Sequence, residues 1–110
     1  MSQSIYKVYF AKYKEPWYKL TSEERNKLWE LDAAALKQVG AERIVDCESV
    51  WANEQWLGWG VEKFPDIEAF HKYAVILVNL NWFEYFDSIT YLGTDYHRSS
   101  TKSNLHATIL

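Results

Sequence analysis

At 110 residues the chain has room for one hydrophobic core, which buries roughly 65% of the surface its unfolded form exposes. A net charge of -3 offers no basic stripe for phosphates, so nucleic acid is set aside as a partner. No run approaches the ~20 apolar residues that span a bilayer, and no membrane partner is expected.

Six Trp, eight Tyr and five Phe make 17% of the residues, so large flat apolar surfaces must be packed against something. Cys47 is the only cysteine, which rules out an internal disulfide or a thiolate zinc cluster and suits a reducing compartment. Met1-Ser2-Gln3-Ser4 shows no basic region followed by an apolar run, so the expected localisation is cytoplasmic.

In chain order, residues 5–13 (IYKVYFAKY) are rich in β-formers and read as a strand, closed by a turn at Lys14-Glu15-Pro16. Thr21 or Ser22 caps a helix, with Glu24 three residues after Thr21 as in a capping box. Leu28, Leu31, Ala35 and Val39 then recur at helical spacing, and Gly40 provides the stop. Residues 42–51 and 55–64 read as two strands of an antiparallel hairpin joined by Ala52-Asn53-Glu54. Pro65-Asp66 opens a second helix with Ile67, Phe70, Ala74, Leu77 and Val78 on one face. Residues 82–86 suit a turn or helical link, and 87–92 a last strand before Gly93. One domain over residues 1–94 is therefore expected. The polar tail 95–110, with His97 and His106, is expected to be flexible or to dock on a partner subunit.

A strand-helix-strand-strand-helix-strand order with right-handed crossovers gives an α+β fold: a ferredoxin-like βαββαβ domain whose four-stranded antiparallel sheet carries both helices on one face. The other face must be wet or covered. Large aromatics occur in both alternating sets of strand residues, so neither set reads as solvent-facing. The expectation is a homodimer whose two bare faces enclose a cavity.

Strand alternation directs Asp46, Glu48 and Glu62 toward that cavity, where part-apolar surroundings would let a carboxylate move protons; if the face is wet they are surface charges. Tyr9, Trp56, Phe64 and Tyr91 would form its aromatic wall, or simply core. Alternation puts Cys47 with Val45 on the helix-packed side, as inert core. Gly58 and Gly60 around Trp59 suggest a bulge or the close approach of another group. His71 falls between Phe70 and Ala74 on the apolar face of the second helix, as a general base or a satisfied buried histidine. Asp32 lies on the apolar stripe of the first helix and could pair with His71. His97 and His106 show no ligand spacing, and no glycine-rich phosphate loop is present, so neither a metal nor a cofactor is expected. Haem would need His71 to face the cavity.

Two segments add a resemblance. Glu62, Phe64 and Glu68-Ala69-Phe70, within Glu62-Lys63-Phe64-Pro65-Asp66-Ile67-Glu68-Ala69-Phe70, resemble the strand-to-helix signature of the dimeric α+β barrel superfamily, which includes antibiotic biosynthesis monooxygenases. That family commonly places a histidine three residues after the triplet, where this chain has Tyr73. Residues 15–25 (EPWYKLTSEER) are similar to the Pro-x-Trp-x-x-Leu-x-x-x-Glu-Arg opening of darcynin-like small proteins. The resemblance covers about residues 5–93 and implies the same fold and dimer, while the fold itself hosts many unrelated roles. Two functions follow as expectations. One is a protein that binds a small aromatic or apolar molecule in its cavity. The other is a cofactor-independent monooxygenase or isomerase acting on an aromatic or polyketide-like substrate.

Overall fold

Side-chain caps fix where the two long helices begin. Thr21 Oγ1 accepts from the Glu24 amide at 3.1 Å while Glu24 Oε1 accepts from the Thr21 amide at 2.9 Å, a closed capping box. Asp66 Oδ1 accepts from the Ala69 amide at 2.7 Å in the same way. Gly40, at φ 75°, supplies the left-handed residue after the first of them.

The computed structural model describes residues 3–96. Its elements run β1 (Ile5–Tyr13), α1 (Glu15–Tyr18), α2 (Ser22–Gln38), β2 (Glu42–Glu48), β3 (Gly58–Phe64), α3 (Ile67–Asn79), α4 (Trp82–Tyr85) and β4 (Phe86–Gly93). The strands form one antiparallel sheet in the order β2-β3-β1-β4. Ile5 and Phe64 pack from the sheet against Ala35 and Leu36 of α2 and Ala69, Tyr73 and Leu77 of α3, so both long helices roof the same face. Most of the tail, residues 97–110 with His97 and His106, lies outside the described residues.

Three local expectations are corrected. Lys14-Glu15-Pro16 starts the short helix α1 instead of a plain turn, with Pro16 in the first turn where its missing N–H costs nothing. The hairpin loop spans residues 49–57, longer than Ala52-Asn53-Glu54. The Ser49 amide donates to the Leu57 carbonyl at 2.8 Å, and side chains hold the rest: Asn53 Oδ1 accepts from the Gln55 and Trp56 amides, each at 2.8 Å, and Ser49 Oγ donates to the Trp56 carbonyl at 3.0 Å. On α3 the inward residues are Ala69, Tyr73 and Leu77, while Ile67 and Val78 are exposed. Glu68, His71, Lys72 and Asn79 cluster on the outward arc of that helix, opposite Ala69, Tyr73 and Leu77.

A bulge decides the chemistry of the sheet. Arg43 pairs with Glu62 and Val45 with Val61, leaving Ile44 as the extra residue. One inserted residue reverses alternation, so Arg43 shares a face with Asp46 and Glu48 instead of with Val45 and Cys47.

The roofed face therefore carries Arg43, Glu62 and Lys7 in one cross-strand row, with Asp46, Gly60, Tyr9 and Thr90 in the next. The bare face carries Val45, Val61, Val8 and Tyr91 in one row and Cys47, Trp59, Phe10 and Ile89 in another. Cys47 is thus on the bare side, not among the helix-packed residues.

Candidate functional site

Five side chains from five elements meet between the sheet and its helices. Glu62 of β3 is flanked across the sheet by Arg43 of β2 and Lys7 of β1. From the roof, α2 presents Asp32 and α3 presents Tyr73. Arg43 Nε donates to Glu62 Oε2 at 2.9 Å, and its Nη2 donates to Asp32 Oδ2 at 2.8 Å and again to Glu62 Oε2. The Tyr73 hydroxyl donates to Asp32 Oδ1. Asp32 and Glu62 are each only 1% exposed, so one guanidinium bridges two buried carboxylates.

Lys7, 9% exposed, completes the row. Its Nζ stands 3.4 Å from Glu62 Oε1 and lies over the rings of Tyr73 and Tyr9, 5.1 and 5.5 Å from their centroids. Glu62 Oε1 is buried and accepts no hydrogen bond among the described residues. Tyr9 crosses Gly60 to donate to Asp46 Oδ1 at 2.8 Å; a Cβ on residue 60 would collide with the Tyr9 hydroxyl and with the Val45 carbonyl. The glycine is the close approach that the sequence suggested.

This polar floor opens into a pocket of about 680 Å³, a size that suits a small organic molecule. Its far wall is aromatic. Trp82 stacks on Phe86 at 4.3 Å, and Trp29 of α2 meets Phe86 at 5.5 Å and Trp17 of α1 at 5.2 Å. Tyr13 stacks on Trp17 at 4.8 Å. Tyr13, Trp29, Trp82 and Phe86 line the pocket directly.

The expected site residues divide accordingly. Tyr9, Asp46, Glu48, Glu62 and Phe64 do share one face, but it is the roofed one and not the bare one. Glu62 lies on the floor, Asp46 and Glu48 are exposed lining residues on the edge strand β2, and Phe64 is fully buried against Phe70 and Tyr73. Tyr91 is on the bare face, and Trp56 packs there on Phe10 with the Lys12 ammonium over its ring. His71 is exposed, so its expected place on the buried face of the helix is corrected. Asp32 pairs with Arg43 and Tyr73 instead of with His71. Lys7, Arg43, Tyr73, Trp29, Trp82 and Phe86 were not anticipated as site residues. For Tyr73 the resemblance held a signal, since it stands where the related signature has a histidine.

Among the described residues no group of three or more His, Cys, Asp or Glu side chains is placed to hold a metal ion, and no helix is long and apolar enough to cross a membrane. No protein-family model matches the chain, and no curated protein matches it in sequence.

The tyrosines make the site sensitive to alkali. Burial, with the nearby carboxylates, pushes the Tyr73 and Tyr9 hydroxyls well above their ordinary 10.0, so both stay neutral donors at physiological pH. The same protons are lost near pH 10 from the unfolded chain. A folded pKa above the unfolded one gives stability that is complete below pH ~10 and declines as pH rises further, by up to ~1.4 kcal/mol per pH unit for Tyr73 and by less for the half-buried, solvent-screened Tyr9. Urea unfolding across this range, followed with tyrosinate absorbance, should show the decline together with tyrosines that ionise only on unfolding. Full tyrosine titration in the native state would contradict the buried donors.

Proposed function

We propose that the chain binds a small aromatic molecule in the pocket between its sheet and helices, with the ring system against Trp29, Trp82 and Phe86 and a polar substituent on the floor made by Lys7 and Glu62. The carrying observation is the amphipathic pocket itself, an aromatic wall facing a buried charged floor. Burying two carboxylates costs desolvation that an apolar floor of equal volume would avoid, which favours a use for them beyond stability. Burial narrows the alternative: in a cofactor-independent isomerase or monooxygenase the proton acceptor would be Glu62, because His71 is exposed.

The finer architecture belongs to the same reading. The strand order β2-β3-β1-β4 with both long helices on one face supports a ferredoxin-like domain, and the two apolar rows on the bare face support pairing as a dimeric α+β barrel. In such a homodimer each subunit would keep its own pocket beneath the helices.

Tryptophan emission tests the binding. Naphthalene derivatives titrated into the protein should quench it saturably, with a dissociation constant on the order of 0.1–1 mM for an unoptimised bicyclic probe. Replacing Trp29 and Trp82 by Phe should remove most of the response. Silence across the panel, or quenching that ignores both substitutions, would sink the pocket reading.

A further inference from the structure

Resting on that pocket reading, we propose that its ligand carries an acidic hydroxyl, a phenol or an enol, seated between Lys7 and Glu62, and that Glu62 takes its proton. The two oxygens of Glu62 are in unequal positions. Oε2 is saturated by Arg43, whereas Oε1 is buried and accepts no hydrogen bond among the described residues. Lys7 Nζ faces Oε1 at 3.4 Å, beyond the ~2.9 Å of a good N–H···O bond, and is otherwise held by two ring faces. Both groups line the pocket.

A hydroxyl oxygen placed ~2.8 Å from each atom forms the apex of a triangle on that 3.4 Å base. There it accepts from the ammonium and donates to Oε1. Other common substituents satisfy only one side. An ether or carbonyl has no proton for Oε1, a carboxylate is repelled by Glu62, and an amine that is protonated is repelled by Lys7.

The proposed proton transfer balances within the site, with the Lys7 ammonium offsetting the charge left on the ligand. The ligand O–H bond breaks, an H–Oε1 bond forms on Glu62, and the electron pair remains on the ligand oxygen as a phenolate or enolate beside the Lys7 ammonium. No electrons leave the ligand. Arg43 holds the other Glu62 oxygen throughout and stays paired with Asp32. Tyr73 donates to Asp32 and Tyr9 to Asp46, so neither hydroxyl competes for the transferred proton.

The test compares 4-nitrophenol with its methyl ether, 4-nitroanisole, below the free phenol's pKa. The phenol should bind roughly ten- to hundredfold tighter than the ether, the range expected for a hydrogen bond to a charged group. Binding should also raise the visible phenolate band. Glu62→Gln should abolish the band and most of the preference, with folding checked by circular dichroism. Because Glu62 also partners Arg43, Lys7→Met serves as the second variant and should lose the band with Glu62 intact. Equal binding of phenol and ether, or no phenolate band, overturns the hydroxyl seat but leaves the pocket standing. A band that survives both substitutions also overturns it. If neither probe binds, the pocket reading fails as well.

Discussion

Replacing Arg43 by methionine should cost about 3–5 kcal/mol of folding stability, the usual penalty for removing one partner of a buried ion pair. Methionine retains most of the apolar stem but offers no donor, so Asp32 and Glu62, each 1% exposed, would face one another without the guanidinium. Against a total of roughly 5–15 kcal/mol for a domain of this kind, that leaves the variant marginal. Urea unfolding should show a lower midpoint with unchanged slope, and the melting temperature should drop by about 15 °C or more. Arg43→Lys should recover little, because an ammonium is a single point charge that cannot spread two arms between two carboxylates. Lys12→Met, which removes an exposed pair with Asp87 at 3.9 Å, should stay within about 1 kcal/mol. A loss that small for Arg43→Met would mean that water already screens the cluster.

Val8→Glu should convert a dimer into a folded monomer. Val8 sits in the middle of the bare face, paired with Val61 on one side and Tyr91 on the other, next to the row formed by Cys47, Trp59, Phe10 and Ile89. If two such faces meet, the new carboxylate is buried among the apolar residues of the interface and should weaken pairing by roughly 3 kcal/mol, about a hundredfold in dissociation constant. The fold of each subunit should persist, since residue 8 points away from the core that holds Ile5 and Phe64. Light scattering during gel filtration reads the outcome. A wild-type protein that is already monomeric, or a Val8→Glu variant that stays dimeric, would remove the bare face as the interface.

The elements themselves were largely legible. The capping box at Thr21, the Asp66 cap, the strand from Ile5 to Tyr13 and the stop at Gly40 all rest on local chemistry that a sequence displays directly. The faces were less so. Alternation correctly grouped Tyr9 with Glu62 and Phe64 on their strands, yet it cannot say which side of a sheet receives the helices. Polar residues argued for the bare side, whereas here Lys7, Arg43 and Glu62 are charged residues of compensating sign gathered under the roof. The bulge at Ile44 hid Arg43 from any period-two count. On α3 the expected inward face centred on Phe70 and Ala74, whereas the polar arc of Glu68, His71, Lys72 and Asn79 places its centre opposite, at Ala69, Tyr73 and Leu77. The aromatic wall comes from α1, α2, α4 and the start of β4, elements too short or too far apart in sequence for their rings to be matched beforehand.

If the pocket is used as proposed, ligand binds beneath the helices and not on the bare face of the sheet. Backbone amide shifts recorded by NMR while 4-nitrophenol is added distinguish the two faces residue by residue. The account predicts changes concentrated at Lys7, Tyr9, Glu62 and Tyr73, with Trp29 and Trp82 indole signals moving alongside. Changes concentrated instead at Val8, Trp59, Val61 and Tyr91, or a spectrum that does not move, would contradict it.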